Sequence, residues 1–281
     1  MTGVRDYLLR IAYLRKERHF PYRDYHKRHR CVFIHVPKTG GTSILTALGH
    51  GRARGAGAGR GGEAGAGRGG RWPGPAARTA GRDHLPWFVY WTANPEYYAR
   101  AFSFAFVRNP WDRAVSAYRY LWRGGSGEEA AEDVRMIRSY ESFSDFVVEG
   151  LAQGYFRSHL LFLPQAYFVL GAGGEPKVDF VGRFERLEED WGSVAARLGL
   201  GAELPRENMG VGDEAVGGAA GGGAVGSAAG GGAVGGAAGG GAVGSAAAGP
   251  RAYRAAYEDR AAVDVIAEVY REDVRAFGYT F

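Results

Sequence analysis

The chain has 281 residues, with 35 Lys+Arg against 30 Asp+Glu, a formal net charge of +5, 47 Gly and one Cys. That length suffices for one α/β domain with a sizeable core, while a single Cys excludes an internal disulfide and no apolar run approaches the ~18 residues of a membrane-crossing helix. Gly and charge are both unevenly spread: 30 of the 47 Gly fall in residues 51–81 and 210–249, and residues 50–82 hold seven Arg against Glu63, so +5 less this local +6 leaves −1 elsewhere and the basic balance argues for no nucleic-acid partner.

Residues 1–30 form a basic segment of nine Lys/Arg against three acids. Tyr7, Leu8, Ile11 and Leu14 recur at helical spacing, which suits either packing on the domain or peripheral contact with a membrane surface. Cys31-Val32-Phe33-Ile34-His35-Val36 is an apolar run and predicts a buried strand; Cys31 reads as a small core residue and His35 as a buried, satisfied histidine. Thr42 to Leu48 continues with helical spacing of apolar residues. Pro37-Lys38-Thr39-Gly40-Gly41-Thr42-Ser43 is therefore a strand, a tight turn and a helix start. Gly40 and Gly41 let the backbone curl around a ligand, exposed N–H groups make an anion site, Lys38 adds a point charge, and Thr42 and Ser43 add hydroxyls. The order of residues is not that of a Walker A loop, where Lys follows the last Gly. It resembles the 5′-phosphosulfate loop of sulfotransferases that use 3′-phosphoadenosine 5′-phosphosulfate. The plain alternative is a Gly turn with a solvated Lys38.

Residues 51–81 are Gly/Ala/Arg-rich and read as a disordered insert. Order is expected to resume around Gly81-Arg82-Asp83-His84-Leu85-Pro86, with a short helix at 95–100 and a second buried strand at 101–107. Arg108 then stands at a strand's C-terminal end, Pro110 opens a helix, and Ser116 follows eight residues after Arg108. An Arg fork and a hydroxyl make a reasonable clamp for a second phosphate in the crevice of an open α/β sheet. Phe-Val-Arg-Asn-Pro-Trp-Asp-Arg-Ala-Val-Ser-Ala-Tyr resembles the 3′-phosphate motif of carbohydrate sulfotransferases, the Golgi-type branch that includes chondroitin and dermatan sulfotransferases, and their microbial relatives. By that resemblance Arg108 and Ser116 hold the donor's 3′-phosphate. The alternative for Arg108 is a capping ion pair with Asp112. Trp111 reads as packing; Asp112 and Arg113 read either as a solvated pair or as pocket walls.

A helix is expected over 128–138, and Phe143, Phe146, Val147 and Leu151 predict another. Residues 155–170 are strongly apolar and contain His159, Pro164 and Gln165, a group the family often carries near its acceptor cleft; no role is transferred. Residues 178–185 predict a third strand and 186–198 a helix. Asp179 to Trp191 again resembles the family. Arg183 either serves the nucleotide or pairs with Glu185 or a neighbouring acid. Ala-Val-Gly then recurs every nine residues from Ala215, Ala224, Ala233 and Ala242, a composition that supplies no core and reads as a second disordered insert over 210–249. Closing helices are expected over 253–258 and 263–277, with Val265, Ile266, Val269, Tyr270, Val274 and Phe277 buried.

The resemblance runs from Cys31 to the last residues. It implies a P-loop-NTPase-like three-layer α/β fold, a central mainly parallel sheet flanked by helices, as a single sulfotransferase domain over 31–281 interrupted by the two inserts. It implies 3′-phosphoadenosine 5′-phosphosulfate as co-substrate, no metal, and a carbohydrate acceptor. Lys38 to Ser43 would hold the donor's 5′ end, with Lys38 stabilising charge on the leaving 5′-phosphate. His84, between the two donor motifs, is the expected base for the acceptor hydroxyl. A Mg²⁺-dependent nucleotide kinase or NTPase and a catalytically inactive nucleotide- or glycan-binding relative are the alternatives. The chain carries no signal-peptide core, and the compartment reads as Golgi lumen for a eukaryotic protein and cytoplasm otherwise. Acceptor sugar, sulfated position and oligomeric state stay open.

Overall fold

A computed structural model describes residues 20–50, 84–125, 131–205 and 252–281. The two Gly-rich inserts and the stripe Tyr7–Leu14 lie outside the described residues. Three strands, β1 (Cys31–Ile34), β2 (Phe102–Val107) and β3 (Phe180–Arg183), form one wholly parallel sheet in the order β1-β2-β3. β1 and β2 coincide with buried apolar runs, as strands covered on both faces must, while the edge strand β3 is half-buried and ends in Arg183. The alternation along β1 shows the two coverings. Cys31 and Phe33 join Phe104, Phe106, Trp191 and Val194 on one face, while Val32 and Ile34 join Ala105, Val107, Trp111 and Ile266 on the other. Two cores back to back on one sheet give the expected three-layer α/β architecture, β-strands between helices.

Helix boundaries follow local chemistry. α1 (Asp24–His29) ends at Arg30, which takes the left-handed conformation. α2 (Gly41–Ala47) leaves the turn after β1. α3 (Trp87–Ala93) stops at Asn94, whose side chain accepts from the Tyr97 N–H and so starts α4 (Pro95–Arg100). α5 (Pro110–Trp122) starts in the same way: Asn109 accepts from the Trp111 N–H at 3.0 Å and Pro110 takes the first position. α6 spans Ala131–Ile137, inside the window expected to be helical. α7 (Phe143–Asp145) widens into a π-helical turn over Phe146–Leu151. α8 (Ala166–Val169) precedes β3, and α9 (Leu187–Leu198) follows it through a 3₁₀ turn at Phe184–Arg186. The closing segment is two helices, α10 (Arg260–Val269) and α11 (Arg271–Phe277), broken at Tyr270. Among the described residues no helix is long and apolar enough to cross a membrane.

α1 contributes a buried titratable group. His26 is 0% exposed and stacks on Tyr25 at 4.0 Å between ring centroids, and its Nδ1 accepts from the Arg23 N–H. Burial, with the Arg23 charge adding to it, lowers its pKa to about 3. An unfolded histidine titrates near 6.5. Between those values the unfolded chain binds a proton that the folded chain refuses, so stability falls as pH drops through that window and is flat above it. Thermal melting from pH 7.5 to 4.5 is expected to show this decline, on the order of 1 kcal/mol per pH unit from this residue, and His26→Gln to make it shallower by that amount.

Candidate active site

The register brings three turns to one edge of the sheet. Ile34 pairs with Ala105, and Val107 with Arg183, so the chain leaves β1, β2 and β3 side by side at their C-terminal ends. That edge is where open α/β sheets bind ligands.

The turn after β1 is tightly built. Lys38 has φ 67° and Gly40 φ 82°. A left-handed lysine is held against a cost of roughly 1–2 kcal/mol, here by the fully buried Thr39, whose hydroxyl donates to the Val36 carbonyl at 2.9 Å. Thr39 therefore shapes the turn with its side chain and offers a ligand only its N–H. Gly41 lies flat against the His35 ring: a Cβ there would come within 1.9 Å of Nε2. Thr42 is exposed and Ser43 buried. The Lys38 ammonium sits 4.0 Å above the Tyr120 ring of α5.

Arg108 meets this turn. Its Nη1 donates to the Lys38 carbonyl at 3.3 Å, and its guanidinium lies 4.1 Å over the Phe184 ring. Its Nε and Nη2 each donate to the Asp112 carboxylate at 2.8 Å. The capping pair expected as an alternative thus coexists with a place beside the loop. Asp112 and Arg113 do not pair with each other: Arg113 is 1% exposed and donates to the carbonyls of Leu161 and Leu163. Trp111 packs, as expected, with its Nε1 donating to the Val263 carbonyl. Asp112, Ser116 and Tyr120 are four residues apart on one face of α5. Since Asp112 holds Arg108 and Tyr120 underlies Lys38, helix spacing puts the half-buried Ser116 between them on that face.

Sequence reasoning missed the frame that holds Arg108. Gln165, 0% exposed, grips it from both sides: its Oε1 accepts from the Arg108 N–H and its Nε2 donates to the Arg108 carbonyl, each at 2.8 Å. Asp273, also 0% exposed, accepts from the Gln165 N–H, the Gln165 Nε2 and the Ala166 N–H. Burial raises the Asp273 pKa, opposed by Arg113 and these donors. Glu185 completes the frame, accepting from the Asn109 N–H at 2.6 Å and the Tyr279 hydroxyl at 3.0 Å. Pro164-Gln165 was visible as a motif; Asp273 lies in the closing stretch Tyr270–Tyr279 that resembles the family's terminus, but among Arg271, Glu272 and Arg275 nothing marked it as buried.

Among the described residues, Arg183 does not make the side-chain ion pair with Glu185 or a neighbouring acid that was the alternative to a nucleotide role. Its Nη2 donates to the Phe277 carbonyl and its guanidinium lies 4.7 Å over the Tyr279 ring. It lines a cavity of about 260 Å³ with Asp112, Glu185, Arg254, Tyr279 and Phe281. This cavity adjoins Arg108 through the shared Asp112.

His84 arrives from the other side. Its Nδ1 lies 2.9 Å from the His35 carbonyl, and the two rings are 4.0 Å apart between centroids. A carbonyl only accepts, so Nδ1 carries the proton and Nε2 is the basic nitrogen. His35 corrects the expectation of a satisfied core histidine. It is buried, at 8% exposed, yet its Nδ1 has no hydrogen-bond partner, because the ring fills the space between Phe33, Gly41 and His84 without meeting a donor. Burial, then the charges of His84, His50 and Lys38, hold its pKa well below the usual histidine range. Among the described residues no group of three or more His, Cys, Asp or Glu is placed to hold a metal ion.

The sulfotransferase family model matches residues 78–280. The chain belongs to the sulfotransferase family. The match spans His84, Arg108, Ser116 and Arg183, and the frame of Gln165, Glu185 and Asp273. The turn from Pro37 to Ser43 lies upstream of it, so in this sulfotransferase the turn enters the site on geometry: the register at the sheet edge and the contact of Arg108 with Lys38. No curated protein and no solved structure matches the chain. The family's chemistry is sulfuryl transfer, which needs an anionic donor held in place and an acceptor nucleophile aligned with it.

Proposed function

We propose that this sulfotransferase moves a sulfuryl group from 3′-phosphoadenosine 5′-phosphosulfate to a hydroxyl of a carbohydrate acceptor. The carrying observation is the Arg108 guanidinium 3.3 Å from the Lys38 carbonyl. Two cationic residues from turns 70 positions apart adjoin each other, which suits one nucleotide with a phosphate at each end. The loop suits such a group: Gly40 takes the left-handed conformation that turns the chain into α2, and the first amides of α2 have no partner within the helix. The carbohydrate acceptor follows from the likeness of residues 106–118 to the carbohydrate branch.

The bound nucleotide supplies the activated sulfuryl group. Lys38 neutralises the charge that grows on its 5′-phosphate as the sulfur–oxygen bond breaks, and the amides of Gly40 to Ser43 hold that phosphate. Arg108 and Ser116 hold the 3′-phosphate, and Arg183 borders the nucleotide. His84 Nε2 takes the proton of the acceptor hydroxyl as its oxygen bonds to sulfur. Residues 31–281 act as one domain in this reading, supported by a buried cluster that runs from Val32 to Tyr279.

The test is transfer of radiolabelled sulfate from this donor onto a panel of polysaccharides, with Mg²⁺ chelated. Label is expected in at least one glycan at an undiminished rate. Phosphoryl transfer from ATP that requires Mg²⁺, with no sulfate transfer, would establish the kinase reading instead.

A further inference from the structure

His84 stands against a second histidine, His35. His35 meets His84 twice, through its carbonyl and through its ring. The carbonyl dictates which nitrogen of His84 holds the proton. The ring presses on the His84 ring at 4.0 Å with an interplanar angle of 44°. The His35 ring is itself immobilised. Phe33 stacks against it at 5.4 Å and 20°, and the open face of Gly41 receives its Nε2. One rigid imidazole therefore separates the donor loop from the base and touches both.

We propose that His35 is a positioning residue for His84: it fixes the tautomer and the ring tilt that aim Nε2 at the acceptor hydroxyl, using the donor loop as its backstop. This rests on reading His84 as the base. The ring suits that task because it stays uncharged. The groups acting on it are His84, His50 beyond α2 and Lys38 of the loop, each unfavourable to a second positive charge there. When His84 takes a proton, His35 remains neutral, and the proton stays on the ring that faces the acceptor.

A double-mutant cycle tests the part played by the ring, since a substitution at position 35 leaves the backbone carbonyl, and with it the tautomer, in place. His35→Ala and His35→Leu are each combined with His84→Ala, and kcat is measured with calorimetric binding of 3′-phosphoadenosine 5′-phosphate as the check on fold and donor site. Each His35 variant alone is expected to lower kcat about tenfold or more, since small misalignments of a reacting group cost up to ~100-fold, while nucleotide affinity changes by less than about threefold. In the His84→Ala background the same substitutions are expected to cost nothing further, because residues that act through one another are not additive. Equal losses in both backgrounds, or none in either, overturn the positioning role. Near-normal turnover of His84→Ala alone overturns the base and leaves the donor map untouched. Nitrogen-15 NMR of the wild-type protein reads the same claim without any variant: His84 is expected as the Nδ1–H tautomer, and an Nε2–H tautomer contradicts it.

Discussion

Lys38→Ala is expected to lower kcat for sulfuryl transfer by about 10²–10³-fold, the range found when one preorganised group facing developing charge is removed. The structure isolates the charge as the cause. Lys38 already sits at φ 67°, and an alanine suffers no more in that conformation than a lysine does, so the turn persists. Thr39 still ties itself to the Val36 carbonyl, and Arg108 still donates to a carbonyl at position 38. What disappears is the ammonium, which Tyr120 supports from beneath. The melting temperature is therefore expected to stay within a few degrees of wild type. Lys38→Arg restores charge but not shape, and recovers only part of the rate. Steady-state kinetics with saturating acceptor check this; a kcat within about threefold of wild type for Lys38→Ala would remove the residue from the chemistry.

Arg108→Ala is expected to act on donor affinity instead, weakening it by about 100-fold, the worth of one or two charge-assisted hydrogen bonds. The Asp112 pairing adds a sharper consequence. With Arg108 gone, the Asp112 carboxylate stands unneutralised where an anion must bind. Asp112→Ala in the Arg108→Ala background is therefore expected to bind donor more tightly than Arg108→Ala alone, although each change on its own removes a partner of the same ion pair. Calorimetric titration with 3′-phosphoadenosine 5′-phosphate reads both. A double variant weaker than Arg108→Ala would show that Asp112 does more than hold Arg108.

The strands, the turn after β1 and the helix after β2 were legible because each is written locally. A strand covered on both faces is an apolar run, and Cys31–Ile34 and Phe102–Val107 are such runs; the edge strand Phe180–Arg183 is apolar only at its start. Pro110 after Asn109 announces a helix start. The meeting of Lys38 with Arg108 follows from the topology that such runs imply. What holds Arg108 was not legible, because its partners come from far along the chain. Gln165 is 57 residues away and Asp273 is 108 residues from Gln165. Asp273 also defeats pattern reading: an acid next to Val274 reads as solvated, yet it is buried because three donors converge on it. α3 was missed since Trp87-Phe88-Val89-Tyr90-Trp91 has the composition of a strand and becomes helical through tertiary contacts, including the Trp87 Nε1 bond to the Leu170 carbonyl. His35 was read correctly as buried and wrongly as satisfied, because its unpaired Nδ1 reflects a close fit among rings that the sequence does not encode.

The central claim is that the turns after β1 and β2 grip opposite ends of one nucleotide, and calorimetric comparison of 3′-phosphoadenosine 5′-phosphate with adenosine 5′-phosphate tests it most directly. In the wild-type protein, loss of the 3′-phosphate is expected to weaken binding by about 100-fold, and in Arg108→Ala that difference is expected to shrink to a few-fold. Equal affinity of the two nucleotides for the wild type, or an undiminished difference in Arg108→Ala, would contradict the account.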